Sequence, residues 1–255
     1  MMRYSACIEM LFAAEAPDFA DRIRAARAAG LEAVEFWRHS SKDLDAVQAA
    51  LDETGLPLAG ILLESGGSPA NGQTHEAYLE GVASSLAVAQ RLGTGMLISQ
   101  AGDEIPGVSR REQHASIVKA LAAAARLLEG SGVVLALEPL NDRVDHPGYF
   151  LTSTEEGLDI IDEVGRPEVR LLYDVYHSAV MGEVTERVLA GRVDRIAHVH
   201  LADAPGRAEP GTGSMDWADR LDWLASQGYA GLVGLEYRPS TNTLESLRFR
   251  EQRSV

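Results

Sequence analysis

The sequence predicts an α/β protein folded as one (β/α)8 barrel. Three observations carry this. Short apolar runs rich in Val, Ile and Leu alternate eight times with Ala-rich amphipathic stretches. The runs begin near Arg3, Leu31, Pro57, Gly95, Gly132, Val169, Arg195 and Gly231, so each repeat spans 26 to 38 residues, the length of a βα unit. The 255 residues suit one such barrel. An open doubly wound sheet is the alternative, but no G-x-G-x-x-G phosphate loop follows the first run.

The first run, from Arg3, contains Cys7. The stretch from Asp18 to Ala29 sets Phe19, Ile23, Ala26 and Ala29 on one helical stripe, and Gly30 follows as a stop signal. The second run, from Leu31, ends at Trp37. Gly55 and Gly93 repeat the stop signal before the third and fourth runs. A helix over Ser116–Leu128 is predicted from Ile117, Leu121, Ala124 and Leu128. The fifth run, Val133–Leu137, is apolar on both faces, as a buried parallel strand requires, and ends in Glu138. Thr154 reads as an N-cap with Glu155 and Glu156 in the first turn. The sixth run, Val169–Tyr173, ends in Asp174, the seventh carries His198 and His200, and the eighth, Gly231–Leu235, ends in Glu236. The polar stretches Glu64–His75 and Asp203–Asp216 follow strands and read as loops, so residues 1–255 form one domain. The polar tail at about 240–255, Ser240 to Val255, is expected to be partly mobile.

Composition narrows the function. The formal net charge is −15, which repels a phosphate backbone and argues against nucleic-acid partners. The single cysteine, Cys7, excludes an internal disulfide and a cysteine-based zinc site. No apolar run reaches the roughly 18 residues of a membrane span, and the N-terminus has no signal-type apolar core. A cytoplasmic protein without a membrane partner is expected. P-loop, nucleophile-elbow and zinc-helix motifs are absent.

In a barrel of this kind, chemistry belongs at the C-terminal strand ends. There the last four strands each deliver an ionisable group: Glu138, Asp174, His200 and Glu236. Three carboxylates and an imidazole cannot converge in an apolar mouth without compensation, because like charges and burial both disfavour ionisation. A divalent metal ion is the simplest compensation, and oxygen-rich ligands with one nitrogen suit Mn²⁺, Mg²⁺ or Co²⁺. His198 shares a strand face with His200 but lies deeper, so it is expected to be a hydrogen-bonded barrel histidine. His177 is a candidate substrate contact. Arg207, in a glycine-bearing loop, offers a planar fork for carboxylate or hydroxyl oxygens, and Arg238 is a further candidate for an anionic substrate. Trp37 and Phe12 are candidates for an apolar wall over the substrate. Glu35 and Glu64 add rim acids without an assigned role.

At these residues the chain resembles the hydroxypyruvate isomerase family, which includes 2-oxo-tetronate isomerases, within the xylose-isomerase-like TIM barrels. The resemblance spans nearly the whole chain. It rests on Leu137-Glu138-Pro139-Leu140-Asn141, Tyr173-Asp174-Val175-Tyr176-His177, Pro205-Gly206-Arg207 leading into Glu209-Pro210-Gly211-Thr212-Gly213, and Gly234-Leu235-Glu236-Tyr237-Arg238-Pro239. It implies a metal bound by Glu138, Asp174, His200 and Glu236, acid/base work by Glu138 and Glu236, and substrate contacts from His177 and Arg207, with Asn141 in the same binding group. A homodimer or homotetramer is also implied. One position departs: hydroxypyruvate isomerases often carry Gln where this chain has His200, and His there is the pattern of ketose 3-epimerases. The expected activity is isomerisation of a short 2-oxo acid, hydroxypyruvate or a 2-oxo-tetronate, through an enediolate. The alternative is 3-epimerisation of a free sugar.

Overall fold

The computed structural model describes residues 2–253. Eight parallel strands close into a barrel in chain order: β1 (Arg3–Cys7), β2 (Ala33–Phe36), β3 (Leu58–Leu62), β4 (Met96–Gln100), β5 (Val134–Glu138), β6 (Val169–Asp174), β7 (Ile196–Leu201) and β8 (Leu232–Leu235). Closure comes from β1 pairing with β8, with Arg3 beside Leu232 and Ala6 beside Leu235. The helices are α1 (Phe19–Ala28), α2 (Leu44–Thr54), α3 (His75–Leu92), α4 (Arg110–Leu128), α5 (Thr154–Val164), α6 (Val175–Val180), α7 (Thr185–Val188), α8 (Trp217–Ser226) and α9 (Thr243–Ser246). None of the described helices is long and apolar enough to cross a membrane.

Local chemistry sets the helix ends. Asp18 caps α1 by accepting from Ala20 N and Asp21 N, and Gly30 follows in the left-handed conformation at φ 72°. Two boundaries differ from the sequence expectation. Helix α4 begins at Arg110 rather than Ser116, because Ser109 and Glu112 form a reciprocal capping box. Ser153, not Thr154, caps α5, while Thr154 sits inside the helix and binds Glu183 through its hydroxyl at 2.6 Å.

The main apolar core lies between the strands and the helices, with Leu97, Leu135, Leu137, Ile117, Leu121 and Ala124 all buried there. The barrel interior is divided. On one side Met96, Ile98, Ala136 and Leu172 form a separate apolar plug. On the other, Ser5, Glu35, His198 and His200 are buried polar groups. Strand period fixes who faces inward. His198 and His200 alternate with Val199 and Leu201, which join the outer core. By the same parity Ala136 leads to Glu138, Leu172 to Asp174, and Gly234 to Glu236. The interior apolar column thus hands over to charged groups at the C-terminal rim.

The C-terminal tail departs from expectation. It is built into the fold as far as it is described. Leu247 and Phe249 are buried, and the Phe249 ring packs edge-on against Tyr4 at 5.8 Å and Trp217 at 5.5 Å. Arg250 donates to Ala29 O at 2.9 Å. Two apolar members of a mostly polar segment, Leu247 and Phe249, face inward while Leu244 stays exposed, which composition alone does not reveal. Residues 254 and 255 lie outside the described residues. Replacing Phe249 by Ala should cost about 3 kcal/mol of stability in denaturant unfolding, the usual penalty for emptying a buried aromatic site; a loss under about 1 kcal/mol would show that the tail is not part of the core.

Candidate metal and substrate site

The four groups at the rim converge on His200. Its Nδ1 lies 3.4 Å from Glu138 Oε1, 3.5 Å from Glu236 Oε2 and 4.0 Å from Asp174 Oδ2. One ligand atom from each of the four residues falls within 4.8 Å of the others, and all four residues are buried. Ligands held about 2.1 Å from a hard cation lie roughly 3 to 4.3 Å apart, so the spacing fits one ion. Two of the atoms facing this point, Glu138 Oε1 and His200 Nδ1, are buried without a hydrogen-bond partner. Buried polar groups are rarely left so. A donor set of three carboxylates and one imidazole, with no thiolate, matches the ions expected from the sequence.

The electrostatics are divided between the two glutamates. Burial pushes the Glu138 carboxyl up, and the Glu236 and Asp174 carboxylates add to it against the pull of His200, leaving it at about 7. Burial acts on Glu236 too, but His200, Arg207 and the Trp37 indole outweigh it and hold this carboxyl well below the usual range. Burial opposes charge on His200, yet Glu236 and Glu35 raise it well above an ordinary histidine. Both Glu236 oxygens are already engaged: Trp37 Nε1 donates to Oε1 at 2.8 Å and Arg207 Nη2 donates to Oε2 at 2.6 Å.

A cavity of about 430 Å³ opens above the cluster, lined by Glu138, His200 and Glu236 together with Trp37, His177, Arg207 and Arg238. His177 is buried at the start of α6. Its Nδ1 accepts from the Asn141 backbone N–H at 3.1 Å, so the neutral ring carries its proton on Nε2. That Nε2 has no hydrogen-bond partner, with Asp174 Oδ2 standing 3.7 Å away. Burial keeps the ring below its ordinary pKa, so a neutral N–H donor faces the cavity.

Several candidates take other positions than the sequence suggested. Asn141 is fully buried and does not line the cavity. Its amide donates to His177 Nδ1 at 2.6 Å and to Asp145 Oδ2 at 2.7 Å, so it orients neighbours. Arg207 lines the cavity but its charge is spent on Glu236, with Asp145 at 3.8 Å. It adopts a left-handed φ of 52°, a conformation that costs energy in a residue bearing a Cβ. The loop is held there by Asp203, whose carboxylate accepts from Ala204 N, Gly211 N and Met215 N. Phe12 is buried away from the cavity, its backbone N–H bound to Thr243. Glu64 binds Ser40 and stands 3.2 Å from His39. Cys7 is buried 3.9 Å from Glu236, and burial pushes its thiol up, which makes it an inert core group. Sequence reasoning missed Asp145, His146 and Arg38, which line the cavity from the loops after β5 and β2 and belong to no motif that marks them.

Residues 23–253 match the family described as the xylose isomerase-like TIM barrel. The chain belongs to this family. Among xylose isomerase-like relatives, hydroxypyruvate isomerase from Escherichia coli K12 is 32% identical, covering 98% of this chain and 99% of that protein. The 2-oxo-tetronate isomerase of Cupriavidus necator is 31% identical over 97% of this chain and 96% of its own length. A solved structure described as an AP endonuclease, family 2, from Brucella melitensis superposes with a TM-score of 0.92 at 28% identity and 99% coverage of both chains. This xylose isomerase-like chain is thus a homologue of named isomerases.

If the cluster holds a divalent ion, saturating Mg²⁺ or Mn²⁺ at a hundred times its dissociation constant should add about 2.7 kcal/mol of stability. Thermal scans should show a chelator-reversible rise in Tm of several degrees, absent in Asp174→Ala. An unmoved Tm at millimolar ion would contradict the site.

Proposed function

We propose that the protein is a metal-assisted isomerase of a short 2-oxo acid, such as hydroxypyruvate going to tartronate semialdehyde. The observation that carries this reading is the pair Glu138 and Glu236, 3.4 and 3.5 Å from His200 Nδ1, at the floor of a cavity whose wall bears Arg38 and Arg238. Glu138, Asp174, His200 and Glu236 would hold the ion, which when bound supplies Lewis-acid stabilisation of the charge developing on substrate oxygens.

The chain's own residues do the rest. One glutamate takes a proton from the hydroxymethyl carbon next to the carbonyl, giving an enediolate. Returning that proton to the former carbonyl carbon, while the proton of the hydroxymethyl oxygen passes to the former carbonyl oxygen, moves the carbonyl to the neighbouring position. Glu138, whose Oε1 has no hydrogen-bond partner although His200 Nδ1 stands 3.4 Å away, is suited to move the proton. Glu236, clamped by Trp37 and Arg207, is suited to remain an anion and to fix the opposite side. His177 donates from Nε2 to a substrate oxygen. The Trp37 indole, 38% exposed beside the site, covers the substrate and sheds water.

A 2-oxo acid also needs a partner for its carboxylate. Of the four cationic side chains lining the cavity, Lys42 is held by Glu9 at 2.7 Å and Arg207 by Glu236 at 2.6 Å. Arg38 and Arg238 have no carboxylate of their own among the described ion pairs. They take the substrate carboxylate in this reading, in place of Arg207. An uncharged ketose would leave them idle, which favours the isomerase over the 3-epimerase that His200 brings into view. A nuclease reading fits poorly, since a net charge of −15 and a carboxylate-rich floor repel a phosphate chain.

Proton NMR of the Mg²⁺-loaded protein in D₂O, with hydroxypyruvate and fructose in separate tubes, tests the reaction. Deuterium should enter hydroxypyruvate or its semialdehyde product and stop on chelation. Exchange confined to C3 of fructose would establish the epimerase instead, and no exchange in either tube would defeat both. Glu138→Gln and Glu236→Gln should each lower kcat by about 10² to 10⁴, the usual worth of positioned acid/base groups. Arg238→Ala should raise KM for the 2-oxo acid about tenfold or more with a smaller effect on kcat, as loss of a charged hydrogen bond predicts.

A further inference from the structure

We infer that Glu35 is a positioning residue for the metal centre, holding His200 from inside the barrel so that its Nδ1 faces the three rim carboxylates. This rests on the metal reading above. Glu35 is buried on β2 at 2% exposure, one level below the rim. Its Oε2 takes His198 Nε2 at 2.7 Å and Ser5 Oγ at 3.3 Å. Its Oε1 points to His200 Nε2 at 3.2 Å.

Three facts make this more than packing. No lysine or arginine pairs with Glu35 among the described ion pairs, whose only partners for it are the two histidines. A buried carboxylate so placed is costly unless its partners compensate. Second, the facing atoms Glu35 Oε1 and His200 Nε2 are both buried without another hydrogen-bond partner, so each is available only to the other. Third, β8 leaves room for the group. A Cβ at Gly234 would come within 2.3 Å of Glu35 Oε1, 2.7 Å of His198 Nε2 and 2.7 Å of His200 Cδ2. Any larger residue there would displace all three.

The division of labour on the His200 ring follows. One nitrogen faces Glu138, Asp174 and Glu236, and the other faces Glu35. A histidine that ligates a metal through one nitrogen commonly gives its other N–H to a carboxylate, which fixes the ring and its tautomer. His198 completes the support, gripping Glu35 and standing edge-on to His200 at 5.1 Å and 83°. Glu35 touches neither substrate nor ion.

The test compares the full-length wild-type protein, stripped of metal, with Glu35→Gln. Co²⁺ is titrated by calorimetry and followed by its visible absorption. Wild type should bind one Co²⁺ per chain, and E35Q should bind it about 10- to 100-fold more weakly with a changed spectrum, while circular dichroism shows the barrel intact. A purely structural Glu35 would lower Tm and leave the affinity and spectrum of the folded variant as they were, which would overturn the inference. Two ions per chain would also overturn it, since Glu35, His198 and His200 would then be ligands themselves. No Co²⁺ binding by wild type would remove the metal reading first and this inference with it. Should E35Q not fold, ¹⁵N-histidine NMR of the Zn²⁺-loaded wild type decides. His200 should be metal-bound at Nδ1 and protonated at Nε2, and the reverse assignment would refute the inference.

Discussion

Mutual repulsion among three carboxylates in the mouth of an apolar barrel is the constraint on which the rest of this structure depends. Glu138, Asp174 and Glu236 reach the same point because parity along β5 and β6, and just past β8, aims their side chains inward. Nothing in the fold lets them turn away, since the outward positions are committed to the helix-facing core. The charge must therefore be met where it lies. His200 meets part of it from β7. Arg207 and Trp37 meet part from the loops, and Asp174 spends one oxygen capping α6 through His177 N at 3.0 Å.

These compensations sort the side chains into roles. Glu236 has both oxygens occupied by donors and is fixed as an anion. Glu138 keeps an unpartnered oxygen and sits where burial opposes its charge. Two chemically identical groups thus face one cavity with opposite tendencies, as acid/base pairs do elsewhere. The loop that brings Arg207 into this arrangement carries a left-handed, non-glycine backbone and is braced by Asp203. Strain of that kind concentrates where a side chain must be aimed. Asn141 plays a similar part for His177, and the cavity wall beyond them holds Arg38 and Arg238, which pair with no carboxylate among the described ion pairs.

Much of this was legible in the sequence. The eight apolar runs gave the barrel because parallel strands buried on both faces need continuous apolar stretches. Glu138, Asp174, His200 and Glu236 were legible because each follows such a run, and the barrel brings strand ends to one rim. The deeper setting of His198 followed from its place two residues earlier on the same face. What stayed hidden depends on contacts between distant segments. That Arg207 is neutralised by Glu236, or that Asn141 serves His177, is set by how loops fold over the rim. Glu35 was visible as an acid on β2, but its partners sit on β7, 163 positions away for His198. The tail read as polar because its buried apolar residues, Leu247 and Phe249, are only two and lie among charged ones.

Anomalous diffraction from a crystal of the protein grown or soaked in MnCl₂ tests the metal-centred site most directly. A single strong manganese peak enclosed by Glu138, Asp174, His200 and Glu236, with Glu35 outside its coordination shell, is the predicted result. A peak elsewhere, or no peak at saturating Mn²⁺ with the four side chains well ordered, would contradict it.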